Sequence, residues 1–174
     1  MKGINTVIPN HQELIKLEKS AKVDGSGIDF KSLIGLWKFK SVWKQASDNE
    51  DSLSSTLLQV LSASLELRKT DKTQDVEQFN IANSIQFGLL SIRFTGLANI
   101  ESKQPLLSFY FDCIQIKLGS IVVFKKPLPI PEKRSRPFFA LIAIDNDGKW
   151  LSARGKGGGM GLWTKKNNYL FNSY

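Results

Sequence analysis

The stretch WLSARGKGGGMGLWTKK, residues 150–166, mixes glycines with arginine and lysine in the way anion-binding loops do. A phosphate cradle asks for more: glycine N–H groups, a lysine and hydroxyl at a fixed offset, and a helix N-terminus behind them. ARGKGGGMG lacks the G-x-x-x-x-G-K-[ST] order, and the MGLWTKK that follows alternates like a strand. The stretch therefore reads as a hairpin turn whose glycines permit positive φ. Other chemistry-bearing residues are as sparse. His11 is the single histidine and has no second ligand nearby; Cys113 is the single cysteine, so there is neither an intrachain disulfide nor metal-ligand spacing. Within LLSFYFDCIQIKLG, Cys113 reads as a small buried apolar side chain. Asp48, Glu50, Asp51, Asp71, Asp75, Asp145 and Asp147 fall in expected turns, where carboxylates are solvated, and no nucleophile elbow is present. The expectation is a non-enzyme with no catalytic residues, metal or cofactor.

A chain of 174 residues makes one domain with a sizeable core. Lys and Arg total 24 against 16 acidic residues, a net charge of +8, which favours an anionic partner: nucleic acid, an acidic lipid surface or an acidic protein. Four tryptophans and eleven phenylalanines on a basic chain could stack bases, but most share the inward parity of Leu and Ile in their strands, which argues against nucleic acid. MKGINTVIPNHQELIKLEKS has no apolar run of signal-peptide type, and no stretch approaches the ~20 apolar residues of a membrane span. This predicts a cytoplasmic protein of a reducing compartment that touches a membrane, if at all, from its side.

The elements follow from periodicity. NHQELIKLEKSAKV sets Asn10 three residues before Glu13, a capping box, with Leu14, Leu17 and Ala21 at helical spacing; DGSG at 24–27 ends that helix. A helical turn over Asp29–Ile34 stops at Gly35. From Trp37 the period becomes two: WKFKSVW places Trp37, Phe39 and Trp43 on one face, and LSASLELRK places Leu61, Ala63, Leu65 and Leu67 on one face. VEQFNIA, SIQFGLLSIRFTG, LLSFYFDCIQIKLG, SIVVF, PFFALIAID and GMGLWTK continue the pattern, for eight or nine strands. The phase slips after Gly88 and again between Cys113 and Ile114, and a one-residue bulge at each would curl the sheet towards closure. KKPLPIPEKRSRP, residues 125–137, is too proline-rich for a central strand and predicts an extended loop at the rim.

In a closed sheet the first and last strands are neighbours, so Trp37 is expected beneath a guanidinium from Arg154. A G-x-W opening, Gly35 and Trp37, with a late arginine, Arg154 followed by Gly155, is the lipocalin-type signature. The fold expected is mainly β, a lipocalin-like (calycin) antiparallel barrel with an N-terminal helix: a helical lead 1–34, barrel 35–166 and tail 167–174. Phe39, Leu65, Phe87, Phe109 and Phe111 would line its interior for a hydrophobic ligand. Lys125, Lys126, Lys133, Arg134 and Arg136 would dock on an anionic membrane surface.

Taken together, LIGLWKFKSVW, FNIANSIQF, IRFTGLAN, KKPLPIP and WLSARGKGGGMGLWTK resemble the plastid lipid-associated protein (fibrillin) family, with Gly35, Trp37, Asn83, Phe87, Arg154 and Gly155 in the places of its motifs. The chain departs at Ser41–Val42–Trp43, where the family often has Tyr-Thr-Ser, and at Trp150–Ala153, where Leu-Asp often precedes the Arg-Gly pair. The resemblance implies binding of lipids, prenylquinones or carotenoids at thylakoids or plastoglobules, and a cyanobacterial-type member. Two other readings stay open: a bilin-binding phycobiliprotein lyase of lipocalin-like fold, whose basic rim would meet propionates, and a nucleic-acid-binding barrel.

Overall fold

The computed structural model describes residues 7–44, 49, 51, 54, 57, 58, 62–70, 78–101 and 105–166. Leu61, the tail at 167–174 and the acidic residues Asp48, Glu50, Asp71 and Asp75 lie outside them. Helix α1 (His11–Asp24) starts where the capping box places it: Glu13 N–H donates to Asn10 Oδ1 at 3.0 Å, and Asn10 N–H donates to Glu13 Oε2 at 2.8 Å. Gly25, at φ 82°, closes it. A short helix α2 (Phe30–Leu33), capped by Asp29, leads into strand β1 (Gly35–Trp43). Then follow β2 (Ser64–Lys69), β3 (Gln78–Phe87), β4 (Leu90–Glu101), β5 (Leu106–Leu118), β6 (Ile121–Pro127), a 3-10 turn (Lys133–Ser135), β7 (Phe138–Ile144), β8 (Trp150–Gly155) and β9 (Met160–Lys165).

The nine strands form one antiparallel sheet whose pairings close into a ring: β1–β2–β3–β4–β5–β7–β8–β9 and back to β1. Strand β5 makes this possible by forking. Along one edge it pairs with β4; along the other, its first residues pair with β7 and its last with β6. β6 is therefore an edge, protected by Lys125, Lys126 and Pro127 rather than by a neighbour. Proline enters this segment at the strand's last position, and the loop expected over 125–137 begins only at Leu128.

Parity sorts the side chains into two cores. Inside the ring, Trp37, Leu65, Leu67, Phe79, Ile81, Ala98, Leu107, Leu141 and Leu151 pack with Phe30 and Leu33 of α2. Outside it, Leu14 of α1 packs on Trp43, Ile142, Trp150, Met160 and Leu162. Trp43 was expected inside with Trp37 and Phe39. The pairing steps from Phe39↔Trp163 to Ser41↔Leu162, so Lys40 is an extra residue and the parity beyond it reverses. A second bulge, at Ile142 on β7, turns Ile142 and Ala143 to the same outer face. Together they build the seat for α1.

The two expected phase slips resolve differently. At Cys113 the bulge is present: Thr95 pairs with Cys113 and Gly96 with Phe111, leaving Asp112 over. After Gly88 there is no bulge. Phe87 pairs with Leu90 across a two-residue hairpin, Gly88–Leu89, with Gly88 at φ 55°, the first-position glycine of a II′ turn. A tight hairpin and a bulge both reverse parity, which is why the sequence pattern cannot separate them. Leu17, expected in the apolar stripe of α1, is exposed, and Glu18 takes the buried place beside Leu14 and Ala21.

The Asp112 bulge presses β5 onto Gly96, where an added Cβ would lie 1.9 Å from the Tyr110 carbonyl oxygen. Gly96→Ala is expected to destabilise by about 3 kcal/mol because backbone, not a side-chain tip, must move. Gly157→Ala, which meets open space, should stay within about 0.5 kcal/mol of the parent in the same denaturant titration.

Candidate functional site

The two ends of the ring differ. At the end where β1 starts, α2 closes the interior: Phe30 stacks on Phe79 with centroids 4.0 Å apart, and Leu33 is fully buried. Trp37 is also fully buried, and its Nε1–H donates to the Leu33 carbonyl at 2.8 Å. The cation over its indole is Lys165, whose Nζ lies 5.0 Å from the ring centroid. Trp37 and Lys165 are direct cross-strand partners. Gly35 makes room for this arrangement, since a Cβ there, at φ 150°, would sit 2.6 Å from Lys165 Cε. Burial pushes the Lys165 ammonium below its ordinary pKa.

Arg154, expected on Trp37, points the other way. Ala153 faces the ring interior, so Arg154, next in the strand, faces out towards α1. Its Nε and Nη2 donate to Glu18 Oε1 and Oε2, each at 2.6 Å, and its Nη1 donates to the Gly158 carbonyl. One guanidinium thus ties α1, β8 and the glycine-rich turn together. Gly155 starts that turn, its N–H donating to Gly159 O at 2.9 Å. The fork-on-fork bond to Arg154 holds the Glu18 carboxyl below the usual carboxylate range, against the opposing effect of burial; Lys22, at 3.2 Å, adds to it. The quoted glycine stretch is a hairpin and an ion-pair anchor.

At the opposite end the inward-facing residues are aromatic and in contact one after another. Phe94 meets Phe111 (centroids 5.6 Å), Phe111 meets Phe109 (5.5 Å), and Phe109 stacks on Phe139 (5.0 Å). Phe139 meets Trp163 edge to face (5.7 Å), and Trp163 meets Phe39 (6.2 Å). The run crosses β4, β5, β7, β9 and β1, most of the circumference. Phe109 is buried, while Phe39, Phe94, Phe111, Phe139 and Trp163 are half-buried, unlike the sealed residues at the other end. Of the lining expected from sequence, Phe39, Phe109 and Phe111 belong to this run. Leu65 sits deeper, buried opposite Trp37. Phe87 lies beyond the ring, 62% exposed near the tip of β3. Asn83, inward by parity and opposite Leu65, is exposed at this end.

The basic residues gather at this same end, because β6 returns to the ring through Leu128–Pro137 and β8 turns into β9 there. Lys125 and Lys126 lie exposed on β6, and Lys133 and Arg134 are exposed in the 3-10 turn. Arg136 is partly withdrawn from docking: its guanidinium lies 4.5 Å from the Tyr110 centroid and its Nε donates to Pro131 O. Lys156 Nζ lies 3.4 Å from the carbonyls of Ser135 and Arg136, so the proline-rich loop and the glycine-rich turn are joined.

A groove of about 800 Å³ on the outer face has a mixed lining: Ile34 and Leu36 on one side, Ser84, Gln115 and the Glu66–Arg93 pair, whose Nη2–Oε2 distance is 2.6 Å, on the other. Burial pushes the Glu66 carboxyl up, but Arg93 and Arg68 outweigh it and hold it below its ordinary value. Among the described residues, no group of three His, Cys, Asp or Glu side chains could hold a metal, and no helix is long and apolar enough to cross a membrane. His11 stacks on Trp43 at 5.3 Å, and Cys113 is half-buried rather than buried because the Asp112 bulge turns it to the outer face. The turn acids behave as capping groups: Asp51 accepts from Ser54, and Asp145 accepts from the Lys149 N–H.

The sequence pattern did not single out Phe94, Phe139 and Trp163, which complete the aromatic run, or Lys165 and Glu18, which meet Trp37 and Arg154. Parity was a signal for the aromatics, and a carboxylate interrupting the stripe Leu14–Ala21 was one for Glu18. Lys165 has none without the register. No family model matches the chain, and no curated protein matches it in sequence.

Arg154→Ala is expected to cost about 2 kcal/mol, by stranding a carboxylate under α1 rather than by uncovering Trp37. The folded-state pKa of Glu18 is depressed, so its contribution is present above the ordinary carboxylate pKa and fades as pH falls through the depressed value. Glu18→Gln should flatten that acid limb in urea titrations over a pH series.

Proposed function

We propose that this protein is a non-enzymatic carrier of a hydrophobic small molecule, a lipid, prenylquinone or carotenoid, held at the aromatic end of a lipocalin-like barrel. The observation that carries the reading is the run of half-buried aromatics facing inward at one end of the ring, where the other end is sealed. A solid core would bury those rings as fully as Trp37 and Phe79. Stacked and edge-to-face rings offer a flat polyene or a prenyl chain large contact area with few polar requirements. The motif resemblance to plastid lipid-associated proteins points the same way, and with it to peripheral attachment at a thylakoid or plastoglobule surface. Lys125, Lys126, Lys133 and Arg134 at the same end supply the charge for docking on anionic lipid, at about 1 kcal/mol for each residue near the surface.

The same basic residues favour one second reading, an acidic amphiphile such as a linear tetrapyrrole, whose propionates they would meet. A covalent absorbance change on mixing with bilin and an apo-phycobiliprotein would identify such a lyase.

Mass spectrometry of an organic extract of the protein from its native source is expected to show one hydrophobic species in near-stoichiometric amount. Phe111→Asp, which puts a charge among the aromatics, should lose it while keeping the parent's far-ultraviolet circular dichroism. An empty extract from the parent would overturn carriage.

A further inference from the structure

Strands β3, β4, β5 and β6 run past the end of β2 and project from the ring as an arm that ends in two hairpin turns, Gly88–Leu89 and Gly119–Ser120. The turns are fastened to each other, with Gly119 N–H donating to the Leu89 carbonyl at 2.8 Å. Hairpin turns are ordinarily polar. This tip is apolar, and most of the exposed large apolar side chains among the described residues belong to it. Leu89 is 72% exposed and Ile121 69%, with Phe87, Leu118, Val123 and Phe124 beside them. Every residue of β6 is exposed.

The charge around the tip has one sign. Residues 78–100 and 113–131 contain no aspartate or glutamate; they carry Lys117, Lys125 and Lys126, and Arg93, further from the tip, is paired with Glu66 of β2. A soluble protein partner with an apolar groove would not require that exclusion. A second copy of the chain is disfavoured, because a two-fold contact through the tip would bring Lys125 and Lys126 against their own images. Apolar side chains at an extremity with lysines a few residues behind them match the layering of an anionic bilayer, acyl chains below and phosphates above.

We propose that the joined β3–β4 and β5–β6 tips insert into the interfacial layer of an anionic lipid bilayer, with Leu89, Leu118 and Ile121 reaching the acyl region and Lys117, Lys125 and Lys126 at the headgroups. The proposal rests on the membrane half of the function above and sharpens it: the attachment element is this wedge, and the loop carrying Lys133 and Arg134 assists by charge alone. The inner face of the arm, Phe87, Leu90, Ile92, Ile114 and Ile116, is continuous with Phe94 and Phe111 at the ring. A hydrophobic molecule leaving the bilayer would thus meet a mainly apolar face on its way to the aromatic run, interrupted by Asn83 opposite Phe94 and by Lys126 opposite Ile114.

The test uses the full chain with vesicles of phosphatidylglycerol and phosphatidylcholine, and with phosphatidylcholine alone. Wild type is expected to sediment with the anionic vesicles. Leu89→Asp combined with Ile121→Asp, the first in a hairpin turn, the second at the exposed start of β6, should partition about tenfold less at low and at high salt. Lys125→Gln with Lys126→Gln should lose about fivefold for each charge at low salt and little at high salt. In a Cys113→Ser background, an environment-sensitive dye on Leu89→Cys should shift to the blue with anionic vesicles, and the same dye on Asp147→Cys, in the turn at the sealed end, should not. Undiminished sedimentation of the aspartate variant, or no shift at position 89, would overturn the insertion. So would a wild-type dimer that the aspartate variant dissociates, which assigns the tip to a second copy. An empty lipid extract alongside a normal dye shift would remove carriage and leave insertion standing.

Discussion

The pairing of β1 with β9 is the constraint on which the rest of the molecule depends. It joins the first strand to the last, closes eight of the nine strands into a ring, and sets Trp37 directly opposite Lys165. Once that register is set, the indole has to be inside, the lysine stem has to cross over Gly35, and α2 is held against the floor through the bond from Trp37 to Leu33. Closure also removes the edges that an open sheet of this length would expose. Two edges are left among the described residues: the end of β3 beyond Ser84, which outruns β2, and β6, which arises because β5 is longer than its partner β7 and takes a second neighbour for its far half.

A closed ring has only two faces, and the chain uses bulges to divide residues between them. Lys40 and Ile142 are extra residues on neighbouring parts of the ring, and each reverses the parity of its strand. The effect is local: Trp43, Ile142 and Ala143 turn outward under α1 while Trp37, Phe39 and Leu141 remain inside. The helix is then locked by an ion pair that spans most of the chain, Glu18 with Arg154. A carboxylate in the middle of an apolar stripe is tolerable only because a guanidinium meets it with two parallel bonds. The glycine-rich turn benefits too, since the same guanidinium reaches Gly158.

Strand length makes the two ends of the ring different. β3, β4 and β5 have ten, twelve and thirteen residues, against six for β2. The excess falls at the end away from α2, so one end is plugged and the other continues into an arm with an apolar inner face. The basic loop, the glycine-rich turn and the aromatic run all lie at that end as a consequence of antiparallel order.

Much of this was legible in the residues alone. The capping box at Asn10 and Glu13 and the alternation within the strands are local features, set by contacts within a few residues or by the two-residue period of a strand. They were enough to establish a mainly β chain with a helical lead and to exclude a phosphate loop. What needed the tertiary structure was everything decided by register. A parity change after Gly88 is the same string of letters whether it is a bulge or a hairpin, and Trp43 alternates with Trp37 until a residue is inserted between them. Arg154 and Lys165 are both cations near the end of the chain. Which one meets Trp37 depends on a one-residue difference in facing, and that is a property of two strands paired across the whole sequence, to which neither strand's own pattern is sensitive.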